Sequence, residues 1–149
     1  MKRLLVATFA LFLALSAFSQ SSGLGVGVIL GNPTGLSAKM WTSRTTAIDG
    51  AAAWAITSYG GFIHVHADML LHPFEFDVKK GSLPFYFGVG GRVLISSDPR
   101  VGIRVPFGVA YAFEDVPFDV FFELVPILDL IPGSGFDMNA AIGIRYFLE

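Results

Sequence analysis

The sequence predicts an all-β protein, an eight-stranded antiparallel up-and-down transmembrane β-barrel, on three observations. Large apolar residues alternate with small or polar ones along most of the chain, which is the period of a β-strand. Clusters of turn-forming residues interrupt this alternation repeatedly. The chain is 53% hydrophobic and 15% charged, whereas soluble domains average about 25% charged residues. After its first residues it has no apolar run of membrane-helix length, so the expected way to cross a membrane is a closed barrel.

The start of the chain is typical of a secretory signal peptide. A basic start precedes an apolar run over residues 4–15, and the small residues Ala17 and Ser19 fit the positions that signal peptidase reads. The run is shorter than the roughly 20 residues of a spanning helix. We therefore expect residues 1–19 to be removed as a signal peptide and residues 20–149 to form one barrel domain.

The strands are defined by the alternation and by the turns between them. From Val101 to Phe113, every odd position is large and apolar, and the even positions are small residues, a proline and Arg104. Phe136 to Leu148 repeats the alternation. A period of two is incompatible with the i, i+3, i+4 spacing of an amphipathic helix. Seven turns delimit eight predicted strands, near residues 23–30, 35–41, 46–56, 61–78, 83–95, 101–113, 117–129 and 136–148. An even number of strands places both termini on the same side of the sheet.

Three prolines within predicted strands indicate irregularities. The apolar face changes from odd to even positions at Pro73, which predicts a β-bulge of one extra residue there. Pro106 and Pro126 cannot donate to a strand ladder, and each is a candidate bulge.

The chemistry of the less apolar face indicates which face meets lipid. A face in water would carry lysine and glutamate at most positions, but here it is mostly Gly, Ala and Ser with one or two charges per strand. Sparse charges suit the cramped lumen of an eight-stranded barrel, so we predict that the apolar face points outward. A soluble lipocalin-like barrel, with that face inside, is the alternative. The aromatic residues expected on the lipid-facing surface are Trp54, Phe85, Phe107, Tyr111, Phe118, Phe122 and Tyr146.

The sparse charges are expected to form a structural ion-pair network in the lumen. Its predicted members are Lys39, Asp49, Asp68, Arg92, Arg104, Asp119, Glu123 and Arg145. In an antiparallel hairpin the numbers of paired residues have a constant sum, so the turns give approximate registers. The expected pairs are Lys39 with Asp49, Asp49 with Asp68, Asp68 with Arg92, Arg92 with Arg104, and Asp119 with Arg145. A charge left unpaired in such a lumen would be costly.

Other motifs have simpler explanations than a catalytic or binding site. His64, His66 and Asp68 share one face of a strand and could hold a metal, but a hydrogen-bonded row in the lumen is the expected arrangement. The glycines at 23–27 and 88–91 are not followed by the helix that a phosphate-binding loop needs. We therefore predict no catalytic residues, no metal site and no cofactor.

The last strand, residues 141–149, looks like the C-terminal segment that outer-membrane barrels present to their insertion machinery. It departs from that pattern by ending in Leu148-Glu149 rather than an aromatic residue. With its strand rhythm, the whole mature chain resembles the small bacterial outer-membrane β-barrel proteins, the group that includes the OmpA transmembrane domain and OmpX-like proteins. The resemblance implies a location in the cell outer membrane, with outer-membrane lipids and the barrel-insertion machinery as partners.

The function expected from the sequence is a structural role in the envelope, with no catalytic site. The alternatives are a lipid-A-modifying or other lipid-acting outer-membrane enzyme, and a small pore. The predicted outward loops are short, which argues against a large binding surface, and a monomer is expected. A formal net charge of −2, without a basic cluster, argues against nucleic acid as a partner.

Overall fold

The computed structural model of the chain describes residues 23–57 and 60–148, so the predicted signal peptide lies outside the described residues. Regular secondary structure in these ranges consists of β-strands, and they contain no helix long and apolar enough to cross a membrane. The strands are β1 (Leu24–Gly31), β2 (Gly35–Trp41), β3 (Thr46–Thr57), β4 (Gly60–Val78), β5 (Gly81–Ile95), β6 (Arg100–Arg104), β7 (Phe107–Phe113), β8 (Phe118–Ile131) and β9 (Gly135–Leu148).

The strands form one antiparallel sheet that closes on itself. Neighbours along the chain pair with each other from β1 to β5, β8 pairs with β9, and β9 pairs with β1 from Leu24↔Leu148 to Gly31↔Ala141. The short strands β6 and β7 lie end to end between β5 and β8. Each of them pairs with both neighbours, so together they occupy one strand position. The result is a ring of eight strand positions. We call the end at which β1 begins and β9 finishes the terminal end, and the opposite end, with turns 32–34, 96–99 and 132–134, the loop end.

The prediction of a single sixth strand over residues 101–113 was wrong, because β6 and β7 are separate. The interruption lies at Val105 and Pro106, where the proline has no N–H for the ladder. The backbone there stays connected to both neighbours: Gly88 N donates to Pro106 O, and Val105 N donates to Pro126 O, each at 3.0 Å.

The bulge predicted at Pro126 was also wrong, since β8 runs through this residue in continuous register with β9. The carbonyl of Pro126 points toward Val105, so its missing N–H lies on the same side, next to the gap between β6 and β7. The ladder is already interrupted there, and the proline removes no bond from the β8–β9 pairing. An unpredicted irregularity lies nearby, where Val101 pairs with Ile131 but Gly102 pairs with Asp129.

The bulge predicted at Pro73 is confirmed. Leu71 pairs with Phe87 and Phe74 pairs with Phe85, so β4 contains one residue more than β5 in this interval. The outward face changes parity as a result, and both Phe74 and Phe76 are exposed beyond the bulge.

The two faces of the ring have opposite chemistry. The outer face exposes large apolar side chains on every strand, and of the aromatic residues expected there, Trp54, Phe85, Phe107, Phe118, Phe122 and Tyr146 are exposed, while Tyr111 is half-buried. Among the described side chains, the inner face has two small apolar clusters, one around Phe121 and the other around Leu70. Most of the remaining interior is occupied by polar and charged side chains.

Candidate functional site

The inner face of the ring holds the charged residues singled out from the sequence. Each of them exposes 5% or less of its surface: Lys39, Asp49, Asp68, Arg92, Arg104, Asp119, Glu123 and Arg145. Their placement follows from strand geometry, because residues at alternate positions share a face. The same face also buries Ser37, His64, His66, His72, Asp129 and Asn139.

Three of the five expected registers match the structure. Lys39 pairs with Asp49, Asp49 with Asp68, and Asp119 with Arg145. The other two were wrong by two residues.

Asp68 pairs with Gly90 rather than Arg92. Arg104 also pairs with Gly90, while Arg92 lies opposite Gly102. The extra residue between Leu71 and Phe74 accounts for one residue of the shift at Asp68. The turn between β5 and β6 is centred one residue earlier than expected, which accounts for the shift of two between Arg92 and Arg104.

Arg104 and Asp68 form the closest ion pair at the centre of the ring. Arg104 Nε lies 2.9 Å from Asp68 Oδ1 and 3.1 Å from Oδ2. The two side chains meet across Gly90, which stands between them in the sheet. A Cβ atom at Gly90 would overlap the Asp68 carboxylate and the backbone of β4. The missing side chain therefore makes room for the ion pair.

Glu123, on β8, connects the Asp68–Arg104 pair to Tyr86 on β5. Its Oε1 lies 3.6 Å from Arg104 Nη2, and its Oε2 accepts a hydrogen bond of 2.9 Å from the Tyr86 hydroxyl. Asp68, Arg104, Glu123 and Tyr86 thus form a continuous polar chain across the interior.

Arg145 is the centre of a second cluster. Its Nε donates to Asp119 Oδ1 at 3.3 Å, and its Nη1 lies 3.8 Å from Asp49 Oδ2. The guanidinium also stacks on Phe121, with its Cζ 3.8 Å from the ring centroid. Arg145 is thus held between two carboxylates and an aromatic face, which suits its planar charge.

Lys39 lies toward the terminal end among aromatic rings. Its Nζ is 2.9 Å from His72 Nε2, 4.4 Å from the ring centroid of Trp41 and 5.2 Å from the ring centroid of Tyr86. Although Asp49 is its register partner, the contacts of the ammonium in the described structure are with this histidine and these rings.

Arg92 lies toward the loop end and has two carboxylate partners. Its Nε and Nη2 donate to the two oxygens of Asp129 at 3.1 and 2.7 Å, and Nη2 also donates to Asp137 at 3.2 Å. This two-pronged geometry is the strongest arrangement for an arginine–carboxylate pair.

Sequence reasoning missed Asp129 and Asp137 as partners of Arg92, and Tyr86 and His72 as members of the interior. A signal for all four was present. Asp129 has the parity of Asp119 and Glu123, Asp137 that of Arg145, His72 that of Asp68, and Tyr86 that of Arg92. Applying the alternation to every strand would have placed these side chains on the inner face.

The side chains of His64, His66 and Asp68 form a polar row in the interior, in which the two histidines are hydrogen-bonded to each other. His64 Nε2 lies 3.1 Å from His66 Nδ1, and His66 Nε2 lies 3.9 Å from Asp68 Oδ2. Residues 23–57 and 60–148 contain no group of three or more His, Cys, Asp or Glu side chains arranged to hold a metal ion. The row continues the polar chain of Asp68 and Arg104 toward the loop end.

A pocket of about 340 Å³ lies above this row, at the loop end. We call it the loop-end pocket; its lining is Asn32, Pro33, Phe62, His64, Arg92, Leu94, Ser96, Arg100 and Asp137. His64 and Arg92 are buried, whereas the side chains of Arg100 and Asp137 remain 43% and 41% exposed.

Several buried polar atoms have no hydrogen-bond partner among the described residues. They include both Nη atoms of Arg104 and of Arg145, Asp49 Oδ1, and the side-chain nitrogen and oxygen of Asn139. The two guanidiniums nevertheless have carboxylates within 3.8 Å. Their charge is therefore balanced even where hydrogen-bond geometry is incomplete.

Comparison with known proteins assigns the chain to no family. No protein-family model, curated protein or solved structure matches it.

Proposed function

We propose that the chain is an integral β-barrel protein of the bacterial outer membrane with a structural role in the envelope. The observation that carries this proposal is the reversed polarity of the ring. Its outer face exposes large apolar side chains such as Trp54, Phe74 and Phe136, and its inner face buries ion pairs such as Arg104 with Asp68. In water, the outer face would be a large exposed apolar surface of the kind that marks a membrane or protein contact.

A bilayer accounts for both faces. Lipid covers the apolar exterior, and a closed antiparallel ring satisfies its backbone hydrogen bonds without leaving an edge strand in the hydrocarbon. The pairing of β1 with β9 supplies this closure. The finer description is then an eight-stranded up-and-down transmembrane barrel, in which β6 and β7 together make one crossing.

The outer membrane follows from the signal peptide expected at residues 1–19 and from the barrel architecture. In such barrels the termini face the periplasm, which puts the loop end outside the cell. The partners are outer-membrane lipids and the insertion machinery, which would read β9. The closed ring uses all its strand pairings internally, and this supports a monomer.

A structural role is favoured over a small pore because charged side chains bridge the interior. Arg104 and Arg145 each contact carboxylates from other strands, so ions would have to break buried pairs to pass. The proposed function is therefore that of a rigid, lipid-embedded envelope component. Conductance recordings in planar bilayers test the pore, and lipid-A composition with and without the protein tests the lipid-modifying enzyme.

Tryptophan quenching by brominated lipids tests the membrane orientation. The chain has two tryptophans. Trp54 faces outward and is 59% exposed, whereas the ring of Trp41 packs against the ring of His72, with the two centroids 4.3 Å apart. After refolding into vesicles, we expect strong quenching in Trp41→Phe, which retains Trp54, and much weaker quenching in the matched variant Trp54→Phe. A monodisperse β-rich protein in buffer without lipid or detergent would support the soluble lipocalin-like alternative and overturn the proposal.

A further inference from the structure

The loop-end pocket lies between the charged interior and the loop end. Its volume of about 340 Å³ is within the range of small-molecule sites. Below it the interior is filled, because His66, Asp68 and Arg104 lie beneath His64 with 4% exposure or less. The pocket is therefore a blind recess that a ligand enters from the loop end.

The base of the recess is polar. His64 and Arg92, which both line it, are 3% and 4% exposed. Asn139 lies two residues from Asp137 on the same face of β9, is 1% exposed, and has no hydrogen-bond partner for either side-chain polar atom among the described residues. The side-chain amide of Asn139, near the recess, thus has an unused donor and an unused acceptor.

The rim offers two half-exposed charges of opposite sign. Arg100 Nη2 lies 3.3 Å from Asp98, whose side chain is 69% exposed, and Arg100 Nη1 lies 3.9 Å from Asp129. Exposed pairs of this kind are weak, so the guanidinium is available to an incoming oxyanion. Asp137 Oδ2 contacts Arg92 at 3.2 Å, and its Oδ1 accepts a hydrogen bond of 2.9 Å from Met138 N. Because the side chain is 41% exposed, an incoming cation can still reach the carboxylate.

The recess presents charges of both signs side by side. Arg92 contacts Asp129 at 2.7 Å and Asp137 at 3.2 Å, and Arg100 contacts Asp98 at 3.3 Å and Asp129 at 3.9 Å. A simple anion would encounter these carboxylates, and a simple cation would encounter the two guanidiniums. A molecule with both charges can place each beside its complement.

We infer that the loop-end pocket binds a small zwitterion, with its oxyanion on Arg100 and its ammonium on Asp137. Two sources share this chemistry: a free short peptide, and the phosphoethanolamine headgroup of a lipid. Phe62 and Leu94 in the lining would contact the carbon skeleton of either one.

Calorimetric titration of the refolded protein in detergent tests the inference with two probes. The dipeptide Ala-Ala represents the peptide source, and glycerophosphoethanolamine represents the headgroup. We expect one or both to bind, and acetate, inorganic phosphate and ethanolamine to bind at least tenfold more weakly. Preference for Ala-Ala or for glycerophosphoethanolamine identifies the source. Equal or tighter binding of a single-charge probe, or no binding of either zwitterion, would overturn the inference.

Variants locate the site. Arg100→Gln and Asp137→Asn should each weaken zwitterion binding about tenfold or more, whereas Lys79→Gln, at the opposite end of the ring, should leave it unchanged. Ser96→Trp keeps both rim charges but fills the recess, so it should abolish binding. Circular dichroism establishes that each variant is folded. Binding that survives in folded Arg100→Gln and Ser96→Trp would place the zwitterion elsewhere and contradict the assignment.

Discussion

Asp68 and Arg104 meet inside the ring because Gly90 stands between them in the sheet. Both residues are in register with this glycine, one from each neighbouring strand. Their side chains close over it with an Nε–Oδ1 distance of 2.9 Å. An ion pair between strands that are not neighbours thus depends on a residue without a side chain.

A double-mutant cycle on Asp68→Asn and Arg104→Met should show strong coupling. Removing one partner leaves a buried charge unpaired, so each single variant should lower the free energy of unfolding by about 3–5 kcal/mol, with a coupling of about 0.5–3 kcal/mol. Urea unfolding from lipid vesicles measures both quantities. The control cycle combines Asp68→Asn with Arg92→Met, which do not contact each other, and it should be close to additive. Coupling in the control as large as in the test would contradict the observed pairing.

Gly90→Ala should destabilise the protein, whereas Gly91→Ala should not. A Cβ at position 90 would overlap both the Asp68 carboxylate and the backbone of β4, while one at position 91 would have only an ordinary contact of 3.6 Å. We expect a loss of about 1–3 kcal/mol at position 90 from overpacking, measured by the same unfolding assay. Equal stability of the two variants would mean that the room over Gly90 is not needed.

Arg92→Met and Arg100→Gln should differ in cost although both remove an arginine near the loop end. Arg92 is 4% exposed and binds Asp129 with two hydrogen bonds, so we expect a loss of about 3–5 kcal/mol. The Arg100 side chain is 43% exposed, and its loss should cost under about 1 kcal/mol. The difference in the free energy of unfolding is measured from the denaturant midpoints of the two variants, provided that both unfold with the same dependence on denaturant concentration. A larger effect at Arg100 would be inconsistent with this geometry.

Tyr86→Phe should destabilise the interior by about 1–3 kcal/mol, because Glu123 loses the hydroxyl that donates to it at 2.9 Å. Tyr146→Phe is the matched control, since that ring is 43% exposed on the outer face. It should change stability by less than about 0.5 kcal/mol. Equal effects of the two substitutions would show that the Tyr86 hydroxyl contributes nothing.

The faces of the strands were predictable from the sequence because side chains alternate with a period of two. All eight charged residues chosen on this basis lie on the buried face. The bulge at Pro73 was predictable for the same reason, since one extra residue reverses the parity of everything that follows.

The partners of the charges were decided by the tertiary structure. A register read from a turn is displaced by any bulge or by a one-residue error in the turn centre, as happened for Asp68 with Arg92. Contacts between strands that do not pair are harder still to read. Arg92 and Asp129 belong to two such strands, and they meet because both are in register with Gly102 on the strand between them. Alternation along a strand is a local property and fixes the face, whereas these contacts depend on how all the strands are staggered around the ring.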